Sequence, residues 1–292
     1  MLHHLNAAPV APSRVVIIGA GGFVGAAVAN RVEQSGVPVL RLTRAEVDLL
    51  APGAAERLVG HLRDGDSVVA AAAIAPCKTV AMLKDNAVLT LALVTALSRV
   101  ALAHVVNIGS DAVFIDQDHP LTEDSPKAPD SLHGVMHLAR EIAFRGAVTA
   151  PLAILRPTLI YGAGDPHNGY GPNQFRRKAN RGEDVALFGE GEERRDHIAV
   201  DDVAEIVFRV LTHRSTGDLN VASGVVTSFR AVATLAVGLA GAGRVVGTPR
   251  TGPMPHDGYR AFDIAAIGKA FPGFAPMPLA QGMAQAQAAE FP

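Results

Sequence analysis

The chain has no tryptophan, three tyrosines and one cysteine among 292 residues. A lone thiol, Cys77, closes no internal disulfide, which argues against a cross-linked secreted scaffold and for a reducing compartment. Neither sign of charge is in excess: 26 Lys and Arg against 28 Asp and Glu leave a net charge of −2. Nothing in that balance calls for a nucleic-acid or membrane-surface partner. Residues 1–13 lack the basic-then-apolar order of a signal segment and read as a loosely ordered terminus. Long uninterrupted apolar runs are missing too. Residues 88–103 come nearest, but Thr90, Thr95, Ser98 and Arg99 interrupt them, so a buried or interface helix is expected, in a cytoplasmic protein. The length suffices for a sizeable core in one large α/β domain with a smaller lobe.

What is present is organised around VVIIGAGGFVG, Val15 to Gly25. Four apolar residues run into Gly19, Gly22 and Gly25, and a small-residue amphipathic stretch over 26–32 follows. The pattern predicts a buried strand, a tight turn and a helix start. Glycine tolerates positive φ at such a turn and lets a diphosphate approach the backbone. The free N–H groups and dipole at the helix start, around Phe23 and Val24, favour that negative charge.

Residues 37–42 alternate like a second strand and end in Thr43 and Arg44. In dinucleotide-binding folds an acidic residue at this strand end selects NAD through the ribose. Here a threonine and a guanidinium stand there instead, which favours the 2′-phosphate of NADP(H). Residues 66–73 have the length of a buried parallel strand, 78–103 read as a helix, and 104–114 contain the next strand and its exit loop, with Ser110 and Asp111. A proline-rich loop and a helix over 132–144 follow, then a strand over 151–156 leading into RPTLIYG, Arg156 to Gly162.

These stretches, together with LFGEGEERRDHIAVDDV from Leu187 to Val203, resemble the extended branch of the short-chain dehydrogenase/reductase superfamily, whose members act on nucleotide sugars. The glycine spacing, the segment resembling TDxVF or SSxxVYG, the RPxxVYG-like turn and the GDGxxxRDFxxVDDV-like run carry the likeness, from about Arg14 onward. It implies an α/β fold, a doubly wound parallel (Rossmann) sheet over 14–161. A smaller C-terminal substrate-binding lobe would occupy 162–292, with 200–224 returning to the sheet. It places the cofactor against Gly19, Gly22, Phe23, Val24, Gly25, Thr43, Arg44, Asp48, Leu49, Ala71, Ala72, Ala73, Ile108, His137 and Pro157. Asp48 would meet the adenine, or else merely start the turn at Ala51. The sugar nucleotide would meet Ser110, Asp111, Asn173, Phe175, Arg195 and Arg250, with Arg195 on its diphosphate. Asn86 would tie the 78–103 helix to the core. Family members pair through the helices that correspond to 78–103 and 132–144, so a homodimer is expected.

The likeness breaks where the family carries its catalytic Tyr-x-x-x-Lys. This chain has His133 and His137. Two readings follow. One is an NAD(P)-dependent epimerase, dehydratase or reductase of nucleotide sugars, in which Ser110 positions the sugar oxygen and His133 moves its proton, since imidazole titrates near neutrality. His137, one turn on, would hold the cofactor ribose. The other is a non-catalytic binder of NADP(H) and nucleotide sugars, a sensor or partner subunit. Histidines at i and i+4 also suit a metal, but no third ligand is identifiable and no HExxH is present, so no metal is expected.

Overall fold

The structure, a computed structural model, describes residues 1–291. Short Val-, Ile- and Leu-rich runs alternate with longer helical stretches, the pattern that builds strands buried on both faces and crossover helices. The chain begins β1 (His3–His4), β2 (Val15–Ile18), α1 (Phe23–Glu33), β3 (Val39–Leu42), α2 (Ala54–Val59), β4 (Ser67–Ala70) and α3 (Val80–Leu97). It continues β5 (His104–Ile108), α4 (Leu132–Ala147), β6 (Leu152–Pro157), β7 (Leu159–Tyr161), α5 (Pro172–Asn180), β8 (Val185–Phe188), β9 (Arg194–Ala199) and α6 (Val200–Thr212). It ends β10 (Ser215–Val221), β11 (Val226–Ser228), α7 (Phe229–Ala240), β12 (Val245–Thr248), β13 (Tyr259–Arg260), α8 (Ala265–Ala270) and α9 (Leu279–Glu290).

Seven strands form the main sheet in the order β1-β10-β6-β5-β4-β2-β3, parallel except for β1. Alternation along β2 decides the two layers. Val15 and Ile17 pack with Val28 and Val32 of α1 and with Val203 and Val207 of α6. Val16 and Ile18 pack on the other face with Leu58 of α2, Leu93 of α3 and Phe144 of α4. The fold is therefore α/β, with a doubly wound sheet. Its strand ends at Ile18, Ala70 and Ile108 open toward one edge, where such sheets bind ligands.

The smaller lobe has its own core of Phe175, Leu187, Phe229, Val232 and Met283. Its strands β7, β9, β11 and β13 form one sheet, and β8 pairs with β12. Helix α6 and strand β10 bring residues 200–221 back to the main sheet.

Three expectations need correction. The first residues are not loose: His3 and His4 pair with Thr216 and Ser215, and the Asn6 amide donates to the His213 carbonyl at 3.0 Å. Backbone pairing at an open sheet edge orders what composition left undecided. Helix α3 is shorter than 78–103, because the Thr79 hydroxyl caps its start, accepting from the Met82 amide. Its 18 residues are nevertheless long and apolar enough, by length and composition, to cross a membrane. They serve instead to cover the sheet with Leu89, Leu93 and Leu97, while Asn86 holds both the amide and carbonyl of Ile74. Leu91, on the other side, stays exposed.

Candidate functional site

The glycine turn makes the first part of the site. Gly19 has φ +92°, and a Cβ there would lie 2.6 Å from the Ala72 amide nitrogen. A Cβ on Gly25 would lie 2.1 Å from the Gly19 carbonyl oxygen, so the turn and α1 close on each other only without side chains. Gly22 caps α1 without a side-chain bond, and the first turn holds no acidic residue. The amides of Phe23 and Val24 thus keep their donors for an anion, as a dinucleotide diphosphate requires.

Beside this turn lies a cavity of about 540 Å³ lined by Gly19, Gly22, Thr43, Arg44, Asp48, Leu49 and Ala71 to Ala73 among others. Nine expected cofactor residues thus line one space. Phe23 lines an adjoining groove of about 610 Å³ along the outside of α1, where its ring approaches Gly162. Val24, Gly25, Ile108 and Pro157 do not line the cavity; Ile108 is buried in the sheet core and Pro157 ends β6 opposite Val221.

At the strand end the acidic group is displaced rather than lost. Glu46 accepts from both the Thr43 amide and hydroxyl, at 2.7 and 2.5 Å, which holds its carboxyl below the usual range. Asp48 accepts from the Leu50 amide and, at 3.3 Å, from Arg44, whose side chain is 79% exposed. The signal was legible, since an acid three residues after a threonine is a local turn pattern.

Three loops meet at the other part of the site. The Ser110 hydroxyl accepts from the Ala112 amide at 3.2 Å and caps a short 3₁₀ turn, Asp111–Val113. Gly134 of α4 rests on that turn so closely that a Cβ would come within 2.1 Å of the Ala112 carbonyl oxygen. His133 therefore sits next to the Ser110 turn. From the third side, after β4, the Cys77 amide points at His133 Nδ1 at 3.3 Å. This assigns the proton of the neutral ring to Nε2.

His133 and His137 meet edge to face, ring centroids 4.7 Å apart. Burial draws the His133 imidazole below its ordinary pKa; Asp111 opposes the fall and His167 adds to it. Burial lowers His137 much further, helped by His133 and Arg140. Its Nδ1 is buried and finds no partner among the described residues. Among the described residues no group of three metal-ligating side chains forms.

On the substrate side three expected contacts are spent within the fold. Asp111 is buried and ion-paired to Arg260 at 3.1 Å. Asn173 is buried, its Oδ1 accepting from the Gly162 amide and its Nδ2 donating to Asp165, so it ties down the loop before α5. Phe175 is fully buried in the lobe core, against Tyr170 and Phe229. Arg195 and Arg250 remain on the lobe's β9 and β12 side, with no carboxylate among the described residues closer than 3.3 Å and 3.5 Å respectively. Arg195 reaches Glu193 at 3.3 Å; Arg250 donates to the Phe188 carbonyl at 3.0 Å. Arg260, which pairs beside Arg195 in the sheet, escaped the sequence reading, as did Arg140 and Cys77. Only burial singles these out, and none of them stands in a recognisable motif.

Comparison with known proteins fits this layout. Residues 15–222 match the NAD dependent epimerase/dehydratase family. A UDP-glucose 4-epimerase of Mycolicibacterium smegmatis is 25% identical over 265 residues, 78% of this chain and 83% of that protein. A dTDP-4-dehydrorhamnose reductase of the same species is 31% identical over 163 residues, 53% of this chain; the match spans 48%, about half, of that relative's length. Among solved structures, the UDP-N-acetylglucosamine 4-epimerase from Bacillus cereus superposes with a TM-score of 0.81 at 22% identity, over 94% of this chain and 96% of that one. The Thermus thermophilus UDP-glucose 4-epimerase in complex with NAD also gives 0.81 at 22% identity, over 94% and 98%. With its glycine turn, doubly wound sheet and matched residues 15–222, the chain belongs to the NAD dependent epimerase/dehydratase family, within the extended short-chain dehydrogenases/reductases.

Proposed function

We propose that the chain is a nicotinamide-dependent enzyme that epimerises, dehydrates or reduces a nucleotide sugar, with NADP(H) favoured over NAD(H). The observation that carries this reading is the His133–His137 pair, in edge-to-face contact and set against the Ser110 turn. Relatives named for UDP-glucose 4-epimerase and dTDP-4-dehydrorhamnose reductase support the substrate class.

Bound nicotinamide supplies hydride exchange, and the chain's own residues do the rest. The α1 amides and the glycine turn would hold the diphosphate, Arg44 the 2′-phosphate and His137 a ribose hydroxyl. Ser110 aligns the reacting sugar oxygen. His133, neutral at pH 7, presents Nε2–H to that oxygen as a donor while its Nδ1 faces the Cys77 amide. To take a proton at Nε2 it must shift to the other tautomer, which a contact as long as 3.3 Å opposes only weakly. Arg195, with one distant acidic partner, is left for the sugar nucleotide's diphosphate.

The exposed apolar residues of α3 and α4, Val80, Val88 and Leu91 with Val135 and Ile142, suit pairing with a second copy in a cytoplasmic homodimer. A thermal-shift panel of NAD, NADP and UDP-, GDP- and dTDP-sugars tests the reading, since a native-state ligand raises the melting point with RT ln(1 + [L]/Kd). Arg195→Met should lose the sugar-nucleotide shift and keep the dinucleotide shift. No shift with any dinucleotide refutes the assignment.

A further inference from the structure

Arg140 lies in the last half of α4, 2% exposed, and pairs with no carboxylate among the described residues. Its three nitrogens are all engaged by neutral acceptors. Nε donates to Asn107 Oδ1 of β5 at 2.7 Å, one terminal nitrogen to the Ala72 carbonyl at 2.6 Å and the other to the Ala70 carbonyl at 3.0 Å. The ring of Phe144 lies 5.2 Å from the guanidinium carbon. Burial lowers its pKa only to about 10, so the group is a cation at pH 7.

An isolated buried charge is costly, and a merely structural guanidinium would be expected beside an acid. Arg156 shows the difference in the same protein, clamped by Glu141 at 2.7 Å and Asp218 at 2.6 Å. Arg140 instead sits behind the wall of the nucleotide cavity. Ala72, whose carbonyl it holds, lines that cavity, and His137 stands one turn earlier on the same helix. Its charge thus lies one residue behind the cavity lining, with no carboxylate paired to it among the described residues.

We propose that Arg140 is a buried positioning residue whose fixed charge makes the site prefer the neutral, reduced nicotinamide ring over the cationic, oxidised one. The two forms share every other contact, so the ratio of their affinities isolates the charge. That preference poises the bound dinucleotide to accept hydride from a substrate and retain it. The inference rests on the dinucleotide reading above.

The test is the ratio of dissociation constants for oxidised and reduced dinucleotide, by calorimetry, in four forms of the full chain. Relative to wild type, Arg140→Met should tighten the oxidised form against the reduced one by roughly tenfold. That is about what a unit charge exerts over ~10 Å at an effective dielectric near 20. Asn107→Asp should do the same without removing the guanidinium, because it sets a carboxylate of the same shape against Nε; it carries the test if the methionine variant does not fold. Arg140→Lys keeps the charge and should keep the wild-type ratio while weakening both forms. An unchanged ratio in Arg140→Met and Asn107→Asp, with both forms weakened alike, overturns the inference and leaves the dinucleotide reading standing. Wild type that binds neither form overturns both.

Discussion

Arg260 holds Asp111 from across the molecule: Nε donates to the carboxylate at 3.1 Å and a terminal nitrogen to the Asp111 carbonyl at 2.6 Å. The same guanidinium reaches Asp116, which also binds His256 Nδ1 at 2.7 Å. Because Arg260 belongs to β13 beside Arg195, this network ties the smaller lobe to the turn that carries Ser110.

Arg260→Met should leave Asp111 buried without its counter-charge. Removing one partner of a buried pair costs about 3–5 kcal/mol. Urea unfolding should report a loss near that figure, and Asp111→Asn in the same chain should recover part of it. A loss under about 1 kcal/mol would show that solvent already satisfies Asp111.

The proposed preference for NADP(H) rests on Arg44. Its exposed guanidinium shares only a 3.3 Å contact with Asp48, so a 2′-phosphate competes for it easily. Arg44→Ala should weaken NADP(H) by roughly 1.5–3 kcal/mol, the range for a charged hydrogen bond, and leave NAD(H) nearly unchanged. Equal losses in titrations with both dinucleotides would place the 2′-phosphate elsewhere.

The sheet was legible because a parallel strand buried on both faces must be a short apolar run, and β2, β4, β5 and β6 all are. The glycine turn was legible for a similar reason, since few residues tolerate its geometry. The substrate side was not. Asn173 and Asp111 have the chemistry of ligand contacts, and nothing in sequence spacing tells that Asp165 and Arg260 already occupy them. Arg140 and Arg260 were invisible because a buried arginine and a surface one look alike in sequence.

Stability should fall in mild acid for a reason local to β5. His104 is fully buried, its Nε2 donating to the Ser215 carbonyl at 2.7 Å, and burial pulls its pKa to about 4 from 6.5. The unfolded chain therefore takes up a proton that the folded one refuses. The stability from this group is complete above pH 6.5 and is lost as pH falls through 6.5 toward 4. Between roughly pH 7.5 and 5.0 the loss should be about 2 kcal/mol. His104→Gln should reduce the slope of that part of the urea-midpoint profile, to which buried His197, drawn down to about 3, also contributes; an unchanged slope would rule His104 out as a source.

The proposed chemistry rests on His133. If it serves the sugar oxygen, His133→Ala should lower turnover by roughly 10²–10⁴-fold, the range for removing a general acid/base, with both ligands still bound. The pH profile should carry a second mark. Burial lowers the His133 pKa, so the neutral ring persists below the ordinary histidine value, and kcat/KM should hold through pH 6.5 and fall only at lower pH. A limb near pH 10 would instead report a phenol, which none of the three tyrosines is placed to supply: Tyr161 is buried in the lobe core, and Tyr170 packs on Phe175 and Phe229. The third, Tyr259, pairs in β13. The double change His133→Tyr with His137→Lys separates the two readings. An enzyme adapted to imidazole gains nothing from it, because the Cys77 amide faces a ring nitrogen that a phenol lacks. A binder that has lost its chemistry would gain hydride transfer. Wild type without turnover on any nucleotide sugar it binds, together with affinities untouched by His133→Ala, would settle the matter for the binder.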